Sequence, residues 1–262
     1  MDHEYASRIQ YALRVIVTAG AAGIGRVIVE AFHTCGAHIH VCDVDTDAIA
    51  SLNSSLPEVG TTVADVADAN QVDQFFAEAE THLGRLDVLV NNAGIAGPTA
   101  SIDAISPEDW ERTVAVNLNG HFYCARRATP LLRNSENALM INLSSIAGRL
   151  GVQYRTPYAA TKWGIIGFTQ SLAKELGPEG IRVNAILPGM VEGPRLEQVI
   201  SARAKTIGQS ETEVKTEMLS NVSLRRTVTP NDIAEMVLFL CSSGGRNITG
   251  QSLNVCGNVE TF

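Results

Sequence analysis

Tyr158 and Lys162 stand four residues apart in Tyr158-Ala159-Ala160-Thr161-Lys162, and Ser145 lies thirteen residues before the tyrosine. On a helix, positions i and i+4 share a face, with Cβ atoms about 5–6 Å apart. A free phenol titrates near ~10, so a fixed neighbouring ammonium that favours phenolate lets a tyrosine work as acid and base near neutrality. A hydroxyl from Ser145 can hold the oxygen whose proton moves. Taken alone, a tyrosine and lysine at this spacing are an ordinary surface pair of a helix. Their significance rests on what surrounds them.

Far upstream, Thr18-Ala19-Gly20-Ala21-Ala22-Gly23-Ile24-Gly25 follows an apolar, β-branched stretch and precedes an apolar periodic one, Ile24 to Phe32. That is the strand, turn and helix context that a phosphate-binding loop requires. Glycine lets backbone approach a pyrophosphate, and a helix beginning near Ile24 offers free N–H groups and about half a positive charge to the phosphates. The next apolar strand, His38 to Cys42, is closed by Asp43, eighteen residues after Gly25. A carboxylate there accepts hydrogen bonds from the adenosine ribose and repels a 2′-phosphate, which selects NAD over NADP. The positions where a basic residue would meet that phosphate hold Ala22 and Val44. Arg26 falls inside the helix and reads as helix-supporting or solvent-facing. The expected cofactor is NAD.

Over nearly its whole length the chain resembles a short-chain dehydrogenase/reductase. Thr18 to Gly25 matches the family's T-G-x-x-x-G-x-G loop, with Ala19 where the first glycine stands. Asp65-Val66 resembles the adenine contact, Asn91-Asn92-Ala93-Gly94 the N-N-A-G signature, and Pro188-Gly189 the P-G motif under the nicotinamide, followed by Val191 at the carboxamide. The threonine that often follows P-G is replaced by Met190-Val191-Glu192-Gly193-Pro194, and Cys256-Gly257-Asn258 replaces an aspartate with paired glycines. The resemblance implies a catalytic tetrad of Asn117, Ser145, Tyr158 and Lys162, with Asn117 holding a water that links Lys162 to solvent. It also implies dinucleotide contacts from Ala19, Ala21, Ala22, Gly23, Ile24, Gly25, Asp43, Val44, Asp65, Val66, Asn91, Ala93, Gly94, Tyr158, Lys162, Pro188, Gly189 and Val191.

The elements that must position these groups are also legible. Of 262 residues, 45% are apolar, which suits one large α/β domain across 1–262. Strand-like runs recur near 13–18, 38–43, 61–64, 86–91, 138–144, 181–187 and 251–256, with helical stretches between them. Near-continuous apolar strands separated by helices predict a doubly wound, seven-stranded parallel sheet covered on both faces, a Rossmann-like αβα arrangement. The motif residues then fall at one edge, just beyond the strand ends. A net charge of −8 without any basic run argues against nucleic acid. No stretch reads as a membrane span, and Met1-Asp2-His3-Glu4 lacks the basic start of a targeting segment. Five unpaired cysteines predict reduced thiols in the cytoplasm. His38, His40 and Cys42 alternate on a strand, but the outer pair would span ~13 Å, too far for one ion. No metal is expected.

The substrate is a small alcohol or ketone. Arg149 and Arg155 border the expected pocket and suit an anion, as in a sugar acid or keto acid, with solvated loop arginines as the alternative. Gln153, Arg155, Ser145 and Tyr158 are the candidate substrate contacts, and a polyol or small hydroxy acid is the expected class. Residues 190–225 read as a helical, lid-like insertion, or equally as a fixed helical pair over the core. By resemblance the protein is a homotetramer or dimer, pairing helices near 108–133 and 157–176. Two other functions fit the same motifs: a 3-oxoacyl-thioester reductase, usually NADPH-dependent, and a non-catalytic NAD-sensing protein.

Overall fold

A computed structural model describes residues 12–259. The N-terminal stretch read above for targeting signals lies outside them. Seven strands are formed, β1 (Arg14–Thr18), β2 (His38–Asp43), β3 (Gly60–Val63), β4 (Val88–Asn91), β5 (Leu139–Leu143), β6 (Arg182–Pro188) and β7 (Ser252–Val255). Among the described residues the helices are α1 (Gly23–Thr34), α2 (Thr46–Ser55), α3 (Ala69–Leu83), α4 (Pro107–Val114), α5 (Gly120–Leu132), α6 (Thr156–Leu176), α7 (Pro194–Ile207), α8 (Glu211–Ser220) and α9 (Pro230–Cys241).

The strands pair in parallel in the order β3-β2-β1-β4-β5-β6-β7. Chain order reverses between β1 and β4, which opens a crevice beyond their carboxyl ends. Every side chain of β4 and β5 is buried, because helices cover both faces of a parallel sheet. Alternation on β1 sorts its residues: Val15 and Val17 join the core under α1, α2 and α9, while Ile16 joins the core under α3, α5 and α6. Asp45 and Asp68 cap α2 and α3 by accepting backbone N–H groups, and Gly84 ends α3 in left-handed backbone, φ 73°. These caps fix where each crossover turns.

The alternating histidines of β2 differ in surroundings. His38 is exposed, whereas His40 is buried, its Nδ1 3.3 Å from Nδ1 of His82 and its Nε2 3.0 Å from the Thr62 hydroxyl. Burial, with His82 next, pushes the His40 imidazole down to about 4. All five cysteines carry free thiols. No helix among the described residues is long and apolar enough to cross a membrane.

The 190–225 stretch forms two helices, α7 and α8, separated by Gly208 in left-handed backbone (φ 70°) and a capping box between Ser210 and Glu213. They share their own apolar seam of Ile200, Ala204 and Val214, apart from the two sheet cores. A bridge between Val191 and Val228 and a bond from Thr206 to the Thr99 carbonyl at 3.3 Å join the pair to the rest.

Candidate active site

The loop after β1 is stitched to the end of β4. The Thr18 hydroxyl accepts the backbone N–H groups of Asn92 and Ala93, each at 3.0 Å, and the Asn92 amide donates to the carbonyls of Thr18 and Ala19 at 3.0 and 2.9 Å. A Cβ on Gly25 would lie 2.0 Å from the Ala19 oxygen, so only glycine fits there. A Cβ on Gly23 would meet nothing within 4 Å. Ala22 precedes α1 without a side-chain cap, and the first turn carries no acid. The first N–H groups of α1 thus have no side-chain cap, which fits a dinucleotide pyrophosphate at this end.

Ala19 has φ 49°, the left-handed conformation that the family's glycine adopts freely. That conformation costs an L-residue roughly 1–2 kcal/mol. Ala19→Gly is therefore expected to leave the melting temperature unchanged or raise it by up to ~2 °C, whereas alanine to glycine ordinarily costs ~0.5–1 kcal/mol. A calorimetric scan showing a fall of several degrees would contradict the strain assigned here.

At the ribose end, Asp43 accepts N–H groups from Ala21 at 3.1 Å and from Asp45 at 3.2 Å, so the carboxylate is held rigidly beside the glycine loop. Val44 is 60% exposed and offers no charge. Arg26 bonds Glu30 and Ser55, both at 2.6 Å, and so supports α1. Asp65 accepts the Ala67 N–H and pairs with Arg112 at 2.8 Å, and Val66 is buried beside it. The Asn91 side chain turns into the interior. Its amide donates to Asn142 at 3.0 Å, and Asn142 donates to Thr169 at 2.9 Å, an interior ladder across β4, β5 and α6.

Tyr158 and Lys162 occupy the first two turns of α6, which starts at Thr156-Pro157. The Lys162 Nζ lies 5.6 Å from the Tyr158 ring centroid and donates to the Leu143 carbonyl at the end of β5 at 2.7 Å. Burial, and then the charge of Arg195, pull this ammonium down to about 7. Ser145 caps a short 3₁₀ turn, accepting the Ala147 N–H at 3.2 Å, which leaves its hydroxyl proton for another acceptor. A Cβ on Gly94 would lie 3.3 Å from the Asn117 Oδ1 and 3.5 Å from the Lys162 Nζ, so these groups crowd together.

Asn117 sits in a π-helical turn, Ala115–Asn119, between α4 and α5. Its Oδ1 accepts the Ile95 N–H at 2.7 Å, and its amide donates to the Ile95 carbonyl at 3.0 Å and to Thr161 at 3.2 Å. The side chain thus clamps the segment after N-N-A-G against α6. Behind it, the His121 Nε2 faces the Ala93 carbonyl at 3.2 Å, and burial followed by Lys162 pushes that imidazole down to about 3. No spacing in the sequence points to His121.

Beyond β6, the Gly189 N–H donates to Val255 at 2.9 Å, and a Cβ there would lie 2.7 Å from the Cys256 Cα. The bridge at Val191 is made by the Glu192 N–H and the Met190 carbonyl, which leaves the polar groups of Val191 itself pointing to the other side. Arg149 is exposed and donates to the Ser252 carbonyl at 2.7 Å, tying down β7. Gln153 is exposed. Arg155 is no solvated loop residue, being 7% exposed with its guanidinium 4.7 Å from the Tyr158 ring centroid. Arg195, whose charge reaches Lys162 and Arg155, carried no site signal in the sequence because it is distant in the chain. Among the described residues, no cluster of three or more histidine, cysteine or acidic side chains could hold a metal ion.

Residues 19–258 match a family model described as enoyl-(acyl carrier protein) reductase. A 3-oxoacyl-(acyl-carrier-protein) reductase of Thermotoga maritima is 34% identical over 93% of this chain and 96% of its own. A 2-dehydro-3-deoxy-L-rhamnonate dehydrogenase (NAD(+)) of a Sphingomonas species is 31% identical over 97% and 98%. Among solved structures, NAD+-bound xylitol dehydrogenase superposes with a TM-score of 0.90 at 26% identity, covering 94% of this chain and 98% of that one. With the glycine loop, the N-N-A-G segment and the tyrosine–lysine turn gathered at one sheet edge, the chain belongs to the short-chain dehydrogenase/reductase family of oxidoreductases acting on CH–OH groups.

Proposed function

We propose that the protein interconverts a secondary alcohol and its ketone with NAD, acting on a polyol, a sugar acid or another small hydroxy acid. One observation carries the reading: Lys162 is buried 5.6 Å from the Tyr158 ring at the same edge as Asp43 and the uncapped start of α1. NAD, when bound, supplies the ring that accepts or returns hydride. Tyr158 takes the carbinol proton on its phenolic oxygen, or gives it back in the reverse direction. Ser145 donates a hydrogen bond to the reacting oxygen, and the Lys162 ammonium favours the phenolate. Asn117, through Ile95 and Thr161, keeps that wall of the site in place. A positioned acid or base contributes ~10²–10⁴-fold, and alignment of the reactants supplies the remainder.

The Sphingomonas relative, a dehydrogenase for a sugar acid with NAD(+), and the xylitol dehydrogenase support the substrate class. The Thermotoga relative favours a second reading, a 3-oxoacyl-thioester reductase. Cofactor choice separates the two. Wild-type kcat/KM is expected to favour NAD over NADP by ~100-fold, and Asp43→Ser should erase most of that ratio by removing the charge that repels a 2′-phosphate. A wild-type preference for NADP would overturn the NAD assignment and favour the thioester.

In this reading 1–262 is one catalytic domain, working in the cytoplasm, with α7 and α8 covering the substrate. Trp110, Phe122 and Trp163 are 39%, 50% and 52% exposed on α4, α5 and α6, which supports pairing of these helices between subunits of a tetramer or dimer.

A further inference from the structure

We propose that the substrate carries an anionic group, a carboxylate, phosphate or sulfonate, a few bonds from the reacting carbon and gripped between Arg155 and Arg195. This rests on the alcohol dehydrogenase reading and names the substrate class of the same site.

Arg155 is built into the wall and incompletely paired. Its Nη2 donates to the Ala96 carbonyl at 2.9 Å, while its buried Nε has no hydrogen-bond partner. The preceding residue, Tyr154, holds a left-handed backbone (φ 64°) with its carbonyl accepting the Ala100 N–H at 3.0 Å. Strain retained at a bulky residue beside a site is a mark of enforced positioning. It delivers the guanidinium onto the face of Tyr158.

Arg195 is the second charge. It stands in the first turn of α7, on the segment that follows β6, and its charge reaches both Arg155 and Lys162. Arg155 and Lys162 thus flank one phenol, and Arg195 adds a third charge from the start of α7. No ion pair among the described residues includes any of them. Glu192, on the same loop, accepts from the Thr227 hydroxyl instead. A buried guanidinium without a counter-charge is costly, and its planar fork matches a carboxylate, phosphate or sulfonate. A bound anion removes that cost at Arg155, the fixed wall, and gains a second charge from Arg195 at the start of α7.

The test uses the full chain with NAD and alcohols paired by charge: 3-hydroxybutyrate with its methyl ester, and glycerol 3-phosphate with glycerol. Turnover is read alongside thermal stabilisation of the NADH-saturated protein by each compound. The charged member of at least one pair is expected to show kcat/KM at least ~10-fold above its neutral partner. Arg155→Gln and Arg195→Gln should each collapse that preference through a rise of about 10- to 100-fold in KM for the anion. Should Arg155→Gln fail to fold, the exposed Arg195 carries the test alone. Equal behaviour of charged and neutral partners in both readouts overturns the clamp, as does a rise in KM for NAD in place of the anion. No turnover of any compound, with anion stabilisation present in wild type and lost in Arg195→Gln, leaves the clamp standing and sinks the dehydrogenase reading.

Discussion

Tyr158→Phe should lose turnover by ~10³-fold while the dissociation constant for NADH stays within about twofold of wild type. The substitution removes one oxygen. The ring remains, so the Arg155 guanidinium at 4.7 Å keeps its aromatic face and the start of α6 keeps its packing. What disappears is the only atom proposed to exchange the carbinol proton. Fluorescence titration with NADH and initial rates on any accepted alcohol check the two halves separately. A parallel loss of binding and rate would make the tyrosine a structural residue and remove the proton-transfer role.

Lys162→Met should abolish turnover and change how stability depends on pH. The wild-type ammonium is fully enclosed, with its hydrogen bond going to a neutral carbonyl, and it lies near 7 rather than its usual 10.5. Between those two values the unfolded chain binds more protons than the folded one, so wild-type stability rises with pH across that window. The penalty is complete below about 7 and gone above about 10.5. Integrated from pH 7 to 9, it amounts to on the order of 2 kcal/mol. Methionine has no such titration. The difference in melting temperature, wild type minus Lys162→Met, is therefore expected to grow in favour of wild type from pH 7 to 9. A difference that stays flat over this range would show that the ammonium is not held in a charge-disfavouring site.

Much of this molecule was readable from local chemistry. Seven apolar runs at regular intervals demanded a parallel sheet with helices on both faces, because such strands have no solvent side and parallel pairs need long crossovers. The observed strands match those runs to within a few residues. The glycine loop was legible because close backbone approach excludes a Cβ, as at Gly25, and Asp43 because strand ends in this topology meet the ligand. Tyr158 and Lys162 were legible because a helix brings positions four apart onto one face by its own period.

What the residue order left open is what depends on contacts between distant segments. Asn91 and Asn117 have the expected identity, but their amides turn toward Asn142 and Ile95, partners 51 and 22 residues away. Arg149 and Arg155 look alike in a loop six residues apart, yet one is drawn to the Ser252 carbonyl and the other is buried under Tyr158. Arg195 brings its charge to Lys162 only because β6 packs against α6 and runs on into α7. Periodicity and backbone sterics act within a few residues, so the sequence by itself determined the sheet, the cofactor loop and the tyrosine–lysine turn. Burial and charge pairing are properties of the packed chain, so only the tertiary structure decided which arginines face the reacting centre and how costly the Lys162 charge is.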